Sequence, residues 1–325
     1  MAKASATSIY INMLQSRFAD YRHDKFANCE NYFEDRPDGG AVVFRYKYRD
    51  HNLVVPTRFC DADRQRVIYL LPKPKRHRHF GSMRSSQALA QSVFGTLKVL
   101  NELALLSNIE AEDGRPAFIQ NANDANFKME KEITTLGELK DHQTSVDIWF
   151  ENKYRVAVEC KFGEIEFGTC SRPRLKPDDQ QYDRQYCDGT YTTQRGRSQL
   201  CSLTELGVLY WKYTDQLLGW NASSEHRPCP LKATYQLVRN ILAACVRDDG
   251  VLDVDNGHAL ILYDERNPTM SDSGRGDLQW HETSRVLQCN GVLRRLSWQK
   301  LLAQLPSRAA IDALKGELSA KYGFA

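Results

Sequence analysis

Two apolar runs, Ser145 to Phe150 and Tyr154 to Phe162, are separated only by Glu151, Asn152 and Lys153. Both are rich in β-branched and aromatic residues, and so short a link folds them back on each other as a hairpin. Alternation divides the second strand: Val156, Val158, Cys160 and Phe162 point to a core, while Ala157, Glu159 and Lys161 point to the opposite face. An acid and a base on a face otherwise opened by a small alanine are out of place on a central strand unless something polar binds there. With the turn centred on Lys153, Asp147 lies directly across from Glu159, each six residues from the centre.

Two carboxylates that close repel unless a cation lies between them or one takes up a proton. An oxygen-rich site with an open side suits Mg²⁺, or Mn²⁺ in its place, with Asp147 and Glu159 as the metal ligands. Lys161 adds a charge that can orient or deprotonate a water, or neutralise a scissile phosphate. The trio therefore fits phosphodiester hydrolysis. The plain alternative is a solvated hairpin carrying an ordinary cross-strand salt bridge.

The 325 residues, 42% hydrophobic and 26% charged, suffice for a sizeable core. They are read as one elaborated α/β domain: residues 1–70 an N-terminal elaboration, 71–305 the core, 306–325 a C-terminal helix. Strands are expected at Ala41 to Tyr48, after a turn at Pro37 to Gly40, and at Arg66 to Leu71, before an extended basic loop. A helix begins behind Ser85 or Ser86, with Leu89, Val93, Leu97, Leu100 and Ala104 on one face. Further expected strands are Asn126 to Thr134 and the continuously apolar Gly257 to Tyr263. Helices are expected at about Ser198 to Leu218 and Leu231 to Val246, and from Ser297 and Ser307.

No apolar run approaches the roughly 20 residues that span a bilayer, and the first residues lack a signal-like stretch, so a cytoplasmic protein with no membrane partner is expected. The nine cysteines never form C-x-x-C, so Cys170, Cys187, Cys201 and Cys229 are read as buried reduced thiols rather than a metal cluster.

The net charge is only +3, but between Arg64 and Asn101 there is no acid, while Arg64, Arg66, Lys73, Lys75, Arg76, Arg78, Arg84 and Lys98 are basic. That stretch is either a phosphate-facing surface or a solvated face. His77 and His79 within it are read as solvated. Gln87 and Gln91 either contact nucleic acid or pack the helix end, and Gln236, Arg239 and Asn240 share one helix face, by default a polar surface stripe.

The segment TSVDIWFENKYRVAVECKF resembles the core of the PD-(D/E)XK nuclease superfamily, with Asp147 as first acid, Glu159-Cys160-Lys161 as E-x-K, and Val146 in place of the Pro. MRSSQALAQSVFG (83–95), TYQLVRNILAA (234–244) and GHALILYDERNP (257–268) are similar to segments of a bacterial restriction-endonuclease-like group, so the resemblance spans roughly residues 70–305. It implies a restriction-endonuclease-like fold, a central mixed sheet flanked by helices, and Mg²⁺-dependent cleavage of nucleic acid, foremost DNA. The alternative is a nucleic-acid-binding protein without turnover. It further implies an upstream acid, Glu130 rather than Glu132, and Gln236 positioning the attacking water or a phosphate. Lys73, Lys75, Arg76, Arg78, Arg84, Gln87 and Arg239 become the nucleic-acid contacts, and a homodimer would let both strands be cut.

Overall fold

The computed structural model describes residues 5–35, 42–138, 144–178, 182–194 and 196–324. Its centre is a five-stranded sheet in the order β1 (Asn126–Ile133), β2 (Thr144–Glu151), β3 (Arg155–Cys160), β4 (Gly257–Tyr263), β5 (Leu293–Ser297). The first three strands form an antiparallel meander, and β4 and β5 join it in parallel, so the sheet is mixed. Around it lie α1 (Ala6–Phe26), α2 (Asp61–Tyr69), α3 (Ser86–Ala90), α4 (Thr96–Val99), α5 (Tyr182–Gln185), α6 (Ser202–Glu205), α7 (Tyr210–Leu217), α8 (Leu231–Cys245), α9 (Arg275–Val286), α10 (Trp298–Gln304) and α11 (Ala309–Tyr322). This is the expected α/β architecture, a mixed sheet flanked by helices. Among the described residues no helix is long and apolar enough to cross a membrane.

Each face of the sheet carries its own core. Ile148, Phe150, Val156, Val158, Cys160, Leu260 and Leu262 pack with Phe18, Leu89, Phe94, Trp298 and Leu314. Trp149, Ala157, Ala259 and Ile261 pack with Tyr213, Leu237, Val238, Ile241 and Ala244. The alternation expected for β3 is therefore present, with one correction. Ala157 opens nothing: it is fully buried in the layer beneath α8, and the polar pair emerges only at the strand's end.

Several local expectations are overturned. Pro37 to Gly40 and Ala41 lie outside the described residues; Val43 and Phe44 form single bridges, and Tyr46–Asn52 is a 3-10 helix rather than strand. Arg66 to Leu71 is not a strand but mostly the end of α2, which has Asp61 and Asp63 in its first turn, where the helix dipole favours acids. Gln91 donates to the Val67 and Ile68 carbonyls at 2.8 and 3.2 Å, so it is a packing residue. The helix expected from Ser198 to Leu218 splits into α6 and α7 around Gly207, whose φ of +95° no other residue adopts readily. The helix from Ser85 holds, capped by Ser85 and running through a π turn at Gln91–Gly95, but it ends at Val99, before Ala104.

The expected N-cap Ser297 receives Lys300 N at 3.1 Å, whereas α11 starts after Arg308 and Ser307 instead donates to Asp312 at 2.7 Å. Helices α1 and α9 and strand β5 had no sequence expectation. Helix α1 buries Tyr10, Leu14 and Phe18, and the Tyr10 hydroxyl lies 2.9 Å from both Phe162 O and Asp264 Oδ2, which ties the N-terminal segment to the end of β3. At the two sheet edges, Lys75 Nζ donates to Glu130 O on β1 at 3.2 Å, and Glu112 N donates to Arg295 O on β5 at 3.0 Å.

Candidate active site at the end of the hairpin

The β2–β3 ladder pairs Glu151 with Arg155, Phe150 with Val156, Trp149 with Ala157 and Ile148 with Val158. One further step sets Asp147 across from Glu159. There Asp147 Oδ2 accepts the Cys160 N–H at 2.7 Å, so the acid also ends the strand pairing. Glu159 and Lys161 are 4% and 7% exposed, which excludes the solvated salt bridge.

Glu159 is held by three donors. Oε1 accepts from Lys161 Nζ at 2.9 Å and Gln236 Nε2 at 2.7 Å, and Oε2 accepts from Asn240 Nδ2 at 2.8 Å. The Gln236–Asn240 stripe of α8 therefore faces inward, correcting the surface reading. Gln236 Oε1 in turn accepts the Gly168 N–H at 2.7 Å, so this amide is clamped between a loop and the acid. Burial opposes the charge on Lys161, but Glu159 and Glu164 outweigh it and hold the ammonium above its ordinary pKa.

The upstream acids, inseparable by parity, are separated by backbone geometry. Glu130 has φ +49°, the left-handed region, and the β1–β2 ladder runs from Met129–Ile148 to Lys131–Val146 without pairing it. Its side chain turns into the site, where the carboxylate accepts from Ser145 Oγ at 2.6 Å and from Gln87 Nε2. Burial raises its pKa, but hydrogen bonds from His77, Ser145 and Gln87 outweigh burial and bring it below the ordinary value. Glu132 is exposed and pairs with Lys75 at 3.3 Å.

Asp147 is pushed well above the usual carboxylate range, first by burial, then by the charges of Glu159 and Glu130. His77, Glu130 and Asp147 offer ligand atoms that all lie within 4.8 Å of one another. His77 is thus not simply solvated: its side chain is 63% exposed, yet Nε2 lies 3.6 Å from Glu130 Oε1. Its only sequence signal is its place in the acid-free loop before the Ser-Ser-Gln helix.

These groups line an open cleft of about 610 Å³. Of the expected nucleic-acid contacts, Arg84, Gln87 and Arg239 line it, whereas Lys73, Lys75 and Arg78 are exposed outside it. Arg76 is a structural residue. Its side chain is 5% exposed, ion-pairs with Asp50, donates to Ile68 O and Leu71 O at 3.1 Å and lies over Phe80. The run from 64 to 101 lacks acids of its own, but the fold supplies Asp50 and Glu132 from elsewhere. Arg239 Nε is buried and has no hydrogen-bond partner among the described residues. Glu164, which accepts Ser86 Oγ at 2.7 Å and Phe162 N at 2.6 Å, and Ser145 complete the set that sequence reasoning missed.

Residues 20–323 match the family described as Restriction Endonuclease associating with ARP. No curated protein and no solved structure matches the chain.

Proposed function

We propose that this chain, which belongs to the family Restriction Endonuclease associating with ARP, is a divalent-cation-dependent nuclease that cuts DNA at a PD-(D/E)XK site. The observation that carries the reading is the convergence of Asp147, Glu130 and His77 beside the Glu159–Lys161 pair in one open cleft. Three carboxylates crowd a space where Asp147 cannot readily ionise alone, and that donor set fits a hard cation. Asp147, Glu130 and His77 would hold it, whereas Glu159, held by Lys161, Gln236 and Asn240, lies outside that group and would join only by releasing a donor.

When bound, Mg²⁺ or Mn²⁺ would supply positive charge against the phosphate oxygens. Lys161, kept as an ammonium by Glu159 and Glu164, neutralises charge on the scissile phosphate rather than acting as a base. Gln236 has both ends of its amide engaged, so we assign it to fixing Glu159 rather than to holding a water. Arg84 and Arg239 serve flanking phosphates; both line the cleft, and Arg239 Nε, with no partner among the described residues, supports an anionic guest. Lys73 and Arg78 extend the basic surface beyond the cleft.

Binding without turnover is the second reading, favoured by the three donors that already occupy Glu159 and compete with a cation. The test incubates plasmid DNA with wild type and Lys161→Ala, each with Mg²⁺, Mn²⁺ or EDTA. Cutting by wild type alone, abolished by EDTA, is expected. Equal cutting by both proteins rejects the site, and salt-sensitive binding without cutting selects the second reading.

A further inference from the structure

Cys170, Cys187, Cys201 and Cys229, distant in sequence and all free thiols, line a single cavity of about 20 Å³ beside the first turn of α8. Each sulfur faces a main-chain N–H two residues on: Arg172 for Cys170, Gly189 for Cys187 (3.4 Å), Leu203 for Cys201 and Leu231 for Cys229. Thr204 adds a second donor to Cys201. Burial, the largest effect, holds the Cys170, Cys201 and Cys229 thiols above their ordinary pKa, while the donors aimed at their sulfurs act the other way and would stabilise thiolates once a cation offsets the burial.

The segments that bear these cysteines are short of other support. Between Gly163 and Cys201 the only helices among the described residues are the 3-10 turn Arg172–Arg174 and the four-residue α5. A few backbone bonds hold them in register: Cys170 N to Lys232 O at 3.0 Å, Cys229 N to Gly189 O at 2.9 Å, and a reciprocal pair between Tyr191 and His226 at 2.9 Å.

We propose that these four cysteines form a tetrathiolate structural site for a zinc ion, pinning the loop after β3 to the start of α8. Soft thiolates select zinc over the hard cations suited to the cleft, and a shell closed by four protein ligands is structural rather than catalytic. Among the described residues no three of these sulfurs lie within 4.8 Å of one another. Zn–S bonds of about 2.3 Å set tetrahedral sulfurs about 3.8 Å apart, so loading draws the loops inward. Nearby Lys232 offsets part of the negative charge of the filled site. The pinned loop contains Gly168 and the pinned helix contains Gln236, so the ion would brace the clamp on Glu159 without touching it.

The test is the zinc content of the purified full-length protein after dialysis into metal-free buffer, by inductively coupled plasma mass spectrometry. One zinc per chain is expected in wild type, Asp147→Asn and Cys289→Ser, and almost none in Cys201→Ser. Retention in Asp147→Asn separates this ion from any cation in the cleft. Should Cys201→Ser fail to fold, titration of wild type with a mercurial reagent decides, since modification of the four thiols should release one zinc to a chromogenic chelator. Wild type without zinc, equal loss from Cys289→Ser, or thiol modification with no zinc released overturns the proposal.

Discussion

Gly168 donates its N–H to the Gln236 side-chain carbonyl at 2.7 Å, which leaves the amide nitrogen of Gln236 aimed at Glu159, also at 2.7 Å. Gln236→Leu cuts both links while keeping an apolar stem of similar size. Loss of such a supporting residue costs roughly 10- to 100-fold in activity. The fall should appear in kcat with KM little changed, because the residue positions an acid rather than substrate; unaltered kcat would remove Gln236 from the site.

Asp147→Asn should raise or leave unchanged the melting temperature of the cation-free protein at neutral pH. The carboxyl of Asp147 is held above its ordinary pKa, so its ionised form is a net cost to the folded state at pH above the unfolded value. The same variant should lose the rise in melting temperature that Mn²⁺ gives wild type. Scanning fluorimetry with EDTA and with Mn²⁺ reads both effects, and an undiminished Mn²⁺ shift in the variant would place the ion elsewhere.

His77→Ala should demand more cation for half-maximal cutting, by about tenfold or more. The deficit should be larger with Mn²⁺ than with Mg²⁺, since imidazole is the better ligand for the softer ion. Cation titrations of initial rate test this, and overlapping curves for variant and wild type would return His77 to the solvent.

Arg76 and Arg84 should behave oppositely although both belong to the same basic stretch. Removing the buried Arg76 leaves Asp50 without its partner and should cost about 3 kcal/mol of stability. Arg84→Ala should unfold like wild type but bind DNA more weakly, with the slope of log K against log salt shallower by about 1. Denaturant melts and salt-dependent binding separate the two, and the reverse pattern would refute both assignments.

His258 is buried and its pKa is lowered to about 3, by burial first and the charge of Arg294 second. Its Nε2 lies 3.0 Å from Ala117 O, an acceptor only, so the neutral ring donates there and Nδ1 accepts from Tyr154 OH. The unfolded chain takes a proton that the folded ring refuses. Its contribution is therefore fully present above about pH 6.5 and is lost as pH falls towards 3, at about 1.4 kcal/mol per unit. His258→Gln should lose stability less steeply than wild type between about pH 6 and 4; parallel losses would rule out this ring as the source.

The hairpin was legible because its information is local: a three-residue turn and strict alternation place Asp147 against Glu159 without reference to the rest of the chain. Helix α2 was not, because Val67 and Ile68 read as a strand in a short window, and what the helix packs against is far away in sequence. Helix α1 buries Tyr10, Leu14 and Phe18 at helical spacing, but the exposed Ile9 and Met13 blur the stripe. At the site, Glu130 could be told from Glu132 only by a left-handed residue inside β1. Arg76 and His77 are adjacent in sequence yet have unlike roles, set by Asp50 on one side and Glu130 on the other. No pattern within the loop contains those partners.

Both outer strands of the sheet already have neighbours, Lys75 across β1 at Glu130 and the Glu112 segment against Arg295 of β5. A strand from another molecule would have to displace these contacts before it could extend the sheet. An edge-to-edge pairing of two copies would thus meet a side chain at one rim of the sheet and a loop at the other.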